Sequence, residues 1–134
     1  MSQQQPIDWE SECIRAAELV NQNKLAEAAE IFRTLSSSVG QVPDGARAVM
    51  AVNLAVVYDK MGHQDTAIQT YEFAAGIVQS PYLFAEEARA TYLHKISRVN
   101  EAIEVWESLL GLNPMPHETR RRIEQNLTTA KQSK

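Results

Sequence analysis

The sequence predicts an all-α fold: three antiparallel helical hairpins stacked in series and closed by a seventh, capping helix. Three observations point there. Apolar residues recur at helical spacing along nearly the whole chain, and no stretch sustains the apolar–polar alternation of a strand. Gly, Pro and Asn breakers leave links of only a few residues, which force neighbouring helices to fold back on each other. Eight residues also recur at one offset. Glu12, Arg15, Ala16, Leu19, Glu27, Ala28, Glu30 and Leu35 are each repeated 74 positions later, at Glu86, Arg89, Ala90, Leu93, Glu101, Ala102, Glu104 and Leu109.

A flexible start over 1–7 leads into a first helix over 8–22, ended by Asn23, and a second over 25–38, ended by the Gly40 to Gly45 stretch. The third and fourth helices are expected over 44–61 and 64–79, parted by Gly62-His63 and stopped at Ser80-Pro81. The fifth and sixth span 82–96 and 99–111, parted at Ser97 and stopped at Asn113-Pro114-Met115-Pro116. The hairpins therefore cover about 8–40, 44–80 and 82–115. The middle one carries Ala55, Tyr58, Gly62, Ala67, Ile68, Tyr71 and Ala74. Ala67 stands 39 residues after Ala28 and 35 before Ala102, so the unit is a hairpin of about 35 residues, lengthened once around Ser36–Asp44. One hairpin cannot bury both its faces, and about three stacked copies make a stable array whose last copy needs a cover. The helix over 116–131 supplies it: Ile123, Leu127 and Ala130 form one stripe, and Glu118, Arg120, Arg121, Glu124 and Lys131 lie elsewhere. Residues 132–134 are a tail.

This pattern resembles the tetratricopeptide repeat over roughly residues 9–116. The family places a small residue midway along the first helix, here Ala16, Ala55 and Ala90, and a large apolar one three residues on, here Leu19, Tyr58 and Leu93. Its second helix carries Ala, then an aromatic, then a small or apolar residue. Those are Ala28, Phe32 and Leu35, then Ala67, Tyr71 and Ala74, then Ala102, Trp106 and Leu109. The Gly of its turn is present at Gly62 and replaced by Asn23 and Ser97, and the bulky early position holds Glu12, Ala51 and Glu86. The resemblance implies a right-handed superhelical solenoid.

Composition bounds the function. The chain has 134 residues, the length of one domain, and a net charge of −4, which disfavours nucleic acid as a partner. No apolar run approaches the ~20 residues of a membrane span, and the polar start Met1–Pro6 lacks the pattern of a secretory signal, so a soluble, cytoplasmic protein is expected. The single cysteine, Cys13, can form no internal disulfide. His63, His94 and His117 lie far apart with no second ligand at i+3 or i+4, and they read as solvated surface or turn histidines. No glycine-rich phosphate loop is present. The run Arg120-Arg121-Arg122, flanked by Glu118 and Glu124, reads as an exposed helix face with i,i+4 pairs. No enzyme, cofactor or metal site is expected.

Function is then expected on a surface. Stacked hairpins offer a concave groove, which the resemblance lines with the first helix of each hairpin. On that register the lining is Cys13, Ala17 and Val20 from the first hairpin, and Val49, Val52, Asn53, Val56, Asp59 and Lys60 from the second. The third gives Phe84, Glu87, Thr91, His94 and Lys95, with Arg121 and Gln125 at the rim from the cap. Asn53 matches the central Asn of the clamp with which some family members hold a peptide carboxylate. Cys13, Ala17, Phe84 and Ala88 stand where its other members would be, so the cations are missing and that function is rejected. Val49, Val52 and Val56 read either as an apolar groove centre or as packing within the stack. The expected function is a protein–protein interaction module or adapter that holds an amphipathic peptide or helix, much as small tetratricopeptide chaperones of bacterial secretion systems hold apolar client segments. The alternative is a self-assembling scaffold acting through the solenoid ends or through Phe73, which falls off the stripe of Ile68, Tyr71, Ala75 and Val78.

Overall fold

A computed structural model describes residues 7–78, 83–112 and 114–133. Met1–Pro6, the Ser80-Pro81 break, the expected helix ends at 79 and 82, Asn113 and Lys134 lie outside the described residues. Seven helices and no strand occur among the described residues: α1 (Trp9–Asn21), α2 (Leu25–Ser37), α3 (Asp44–Lys60), α4 (Gln64–Gly76), α5 (Leu83–Lys95), α6 (Val99–Leu110) and α7 (His117–Gln132). They form two compact units, Met1–Ser80 with α1 to α4 and Pro81–Lys134 with α5 to α7, and within each unit consecutive helices pack in adjacent pairs.

The repetition seen in the sequence is also a repetition of backbone geometry. Asn23, Gly62 and Ser97 all adopt left-handed φ, at 61°, 83° and 69°. At each, two amide donors close the helix that has ended. Asn23 donates to Val20 and Lys24 to Leu19; Gly62 donates to Asp59 and His63 to Tyr58; Ser97 donates to His94 and Arg98 to Leu93. These bonds satisfy carbonyls that a helix end leaves without partners, and they require one residue at positive φ. The next residue takes the same conformation each time (Lys24 φ −92° ψ 67°, His63 φ −94° ψ 70°, Arg98 φ −90° ψ 61°) and its carbonyl accepts from Ala28, Ala67 or Ala102. Those three alanines, and Ala16, Ala55 and Ala90 opposite in the pattern, are 0% exposed. A side chain that small lets paired helices approach closely, and a larger one would meet atoms on every side.

In the first unit, Ala16, Ala29, Phe32, Leu35, Met50, Leu54 and Val57 form a core. Asp8 caps α1 by accepting from the Ser11 hydroxyl (2.8 Å) and amide (3.2 Å), bonds that hold its carboxyl below the usual range. The lengthened link before α3 is pinned at two points. Val42 is buried against the core, and buried Arg47 donates to the Ser36 carbonyl at 2.9 Å and to Asp44 Oδ1 at 3.1 Å.

The second unit repeats that device. Its core joins Ala90, Leu93, Ala102, Ile103, Val105, Trp106 and Leu109 to Ile123, Leu127 and Ala130 of α7, so the apolar stripe of α7 covers α6 and α5. Both α3 and α7 start after a proline of near-identical conformation, Pro43 (φ −55°, ψ 143°) and Pro116 (φ −56°, ψ 139°). Four residues later an arginine turns back onto the preceding helix end: Arg120 donates to the Leu110 and Leu112 carbonyls at 3.0 and 3.2 Å, as Arg47 does to Ser36. A cation there satisfies bare carbonyls and meets the negative end of the helix dipole. The Arg120–Arg122 run, expected as an exposed face with i,i+4 pairs, is exposed at Arg121 and Arg122, and Glu118 acts on Arg122 one turn on, but the main partners lie elsewhere. Arg120 is a helix cap, and Arg122 forms a two-bonded pair with Glu87 of α5 at 2.8 and 2.9 Å.

The turn geometry sets a stability order. Left-handed φ is unfavourable for serine by roughly 1–2 kcal/mol and less so for asparagine, and both side chains are exposed. Ser97→Gly should raise the free energy of urea unfolding by about 1 kcal/mol and Asn23→Gly by less. An added Cβ at Gly62 meets no neighbour, so Gly62→Ala should lower it by about 1 kcal/mol through the backbone alone.

Candidate functional site

Helix α3 is packed between α2 and α4, and most of its side chains are consumed by that packing: Ala48, Met50, Ala51, Val52, Leu54, Ala55 and Val57 are buried. What remains toward α1 is narrow. Cys13, Ala17, Val20 and Asn21 of α1, Phe32 of α2, and Asn53, Val56 and Val57 of α3 line one depression of about 220 Å³. Its walls are apolar, with the two asparagine amides bordering it. Cys13 and Val20 are half-buried against the core, and Val56 is 39% exposed.

Five of the expected lining residues thus meet in one place: Cys13, Ala17, Val20, Asn53 and Val56. Their neighbours in the expected set do not. Val52 is 6% exposed and serves packing, Val49 is half-buried against the core, and Lys60 is exposed at the end of α3. Asp59, expected in the lining, places its charge beside Tyr71 of α4.

The second-unit residues are dispersed. Phe84 and Thr91 are exposed on α5. Glu87 is held by Arg122 of α7. His94 is half-buried, its ring against the edge of Trp106 with centroids 5.9 Å apart, which corrects the expectation of a solvated histidine; His63 and His117 are exposed. The Lys95 ammonium sits 5.9 Å from the Tyr92 ring centroid. Arg121 lies with His117, Glu124, Gln125 and Thr128 along an open, polar depression of about 500 Å³ on α7.

The residue that sequence reasoning missed is Ile14, 62% exposed on α1. It falls off the buried Ala16 stripe and stands one turn from Ala17, beside the depression. Its signal was an isolated large apolar residue between Glu10 and Glu18. Phe73 of α4 is 46% exposed, and Val39 is exposed in the link before α3.

Burial pushes the Cys13 thiol up, away from the thiolate form that reacts. Among the described residues no three His, Cys, Asp or Glu side chains converge as metal ligands, and no helix is long and apolar enough to cross a membrane. No protein-family model matches the chain, and no curated protein matches it.

Two titrations check this geometry. Burial, and then the charge of Asp59, push the Tyr71 hydroxyl from 10.0 up to about 12. A group whose pKa rises on folding adds stability below its unfolded value and loses it as pH climbs through the folded one. Between pH 10 and about 12 the wild type should therefore lose on the order of 2 kcal/mol more than Tyr71→Phe, measured by urea unfolding. Cys13 should be alkylated by iodoacetamide at pH 8 several-fold more slowly than the same residue in the urea-unfolded chain, since less of it is thiolate.

Proposed function

We propose that this chain is a tetratricopeptide-like, non-enzymatic interaction module of three stacked hairpins in a right-handed superhelix. It binds an amphipathic peptide or helix of a partner protein in the groove between α1 and α3. A small cytoplasmic chaperone or adapter for an apolar client segment is the specific form of this reading. The observation that carries it is the apolar depression between α1 and α3, lined in part by the exposed side chain of Val56. At about 220 Å³ it is smaller than the roughly 300–1,000 Å³ of small-molecule sites and suits one large apolar side chain of a peptide. The recurrent turns support the repeat architecture, because three hairpins share one backbone solution.

The second reading is a self-assembling scaffold, favoured by the exposed Phe73. Partners captured from native lysate by wild type, Val56→Glu and Phe73→Glu, each first shown to be helical by circular dichroism, separate the two. The groove reading expects one partner to fall at least about tenfold with Val56→Glu and to survive Phe73→Glu. Loss with Phe73→Glu alone, together with a fall in the solution mass of the protein, would instead establish the scaffold.

A further inference from the structure

We infer that the segment held between α1 and α3 is a basic amphipathic one, with an apolar anchor in the depression and Lys or Arg residues lying along the outer edge of α1; this rests on the groove reading above. The argument is electrostatic complementarity. Residues 1–80 hold ten acidic and five basic side chains, a net −5, while residues 81–134 hold seven and eight, a net +1. The negative charge of the whole chain therefore belongs to the unit that carries the depression. Within that unit all three arginines are already engaged by an acid one turn away: Arg15 by Glu12, Arg33 by Glu30 and Arg47 by Asp44. They cancel those acids and do not relieve the rest.

The remaining charge is placed where a ligand would feel it. Along α1, Glu10, Ile14, Ala17, Glu18 and Asn21 are exposed at spacings of three and four, which puts them on one face. Ala17 and Asn21 of that stripe also line the depression. Exposed Ile14 is thus flanked along the helix by exposed Glu10 and Glu18, about 12 Å apart at 1.5 Å per residue. Neither glutamate is ion-paired among the described residues. On the α3 side the exposed Lys60 is the cation nearest Val56 in sequence. An acidic segment laid along α1 would set like charges against each other, whereas a basic one gains at both ends of the stripe and would also associate faster.

The test uses the full chain and two synthetic amphipathic peptides of about 18 residues, or five helical turns, with the same Leu stripe and either Lys or Glu at the polar positions. Affinities are read by fluorescence anisotropy for wild type, Glu10→Gln/Glu18→Gln and Val56→Glu. The Lys peptide should bind about tenfold more tightly than the Glu peptide at low salt, less so at 0.15 M salt, with most of that ratio lost in the double Gln variant and both peptides weakened by Val56→Glu. Equal affinity for the two peptides, with both still weakened by Val56→Glu, overturns the charge inference and leaves the groove reading standing. A preference for Lys that survives the double Gln variant also overturns it, because the α1 edge is then not its source. No binding of either peptide, or binding indifferent to Val56→Glu, removes the groove reading itself.

Discussion

Each hairpin of this protein depends on bringing two helices together across a link of three residues, and that requires two things at once. One residue of the link must take a left-handed backbone, so that the ended helix closes on its own carbonyls. A small residue must stand where the helices are packed most tightly. Asn23, Gly62 and Ser97 meet the first need, and the six fully buried alanines at 16, 28, 55, 67, 90 and 102 meet the second. The aromatic side chains of Phe32, Tyr71 and Trp106, one turn beyond the second alanine, then fill the space that the alanines leave open. The rest of each unit is assembled around these positions.

Between hairpins a different device operates. Arg47 and Arg120 reach back from the start of one helix to the open carbonyl end of the helix before it, so the end of one repeat is completed by the beginning of the next. On this view α7 is the entry helix of a further repeat put to use as a cover. It begins with the same proline conformation and arginine as α3, and its apolar stripe closes the core that α5 and α6 leave open. The bridge from Arg122 to Glu87 fastens it to α5 as well. Glu87 is committed to that bridge, whereas exposed Glu10 and Glu18 of α1 make no ion pair among the described residues.

Much of this was legible in the residues. The seven helices lie within three residues of the expected boundaries, because periodicity marks their interiors and Gly, Pro, Asn and Ser mark their ends. Ser97 shows the strength of the repeat as a signal: serine alone would not announce a left-handed turn, but its place one repeat after Gly62 does. That Cys13, Ala17, Val20, Asn53 and Val56 line one depression was legible because the register of the first helices carries from hairpin to hairpin. Val52 was not resolved from its neighbours. A helix apolar on nearly all sides leaves its exposed edge to be chosen by the helices around it, and here Val52 falls on the buried side. The partners Glu87 and Arg122 are 35 residues apart and carry no local pattern. Arg120 was legible in principle, since Pro43 with Arg47 and Pro116 with Arg120 share one spacing.

Between α1 and α3 the core reaches the surface without being closed. Everything placed there rests on three hairpins sharing one turn geometry, which amide hydrogen exchange of the full chain by NMR tests most directly. The account predicts that the amides of Lys24, His63 and Arg98, donating to Leu19, Tyr58 and Leu93, are all protected well beyond the amide of exposed Gly40 in the link before α3. Protection at His63, where the turn holds glycine, with free exchange at Lys24 and Arg98 would contradict it.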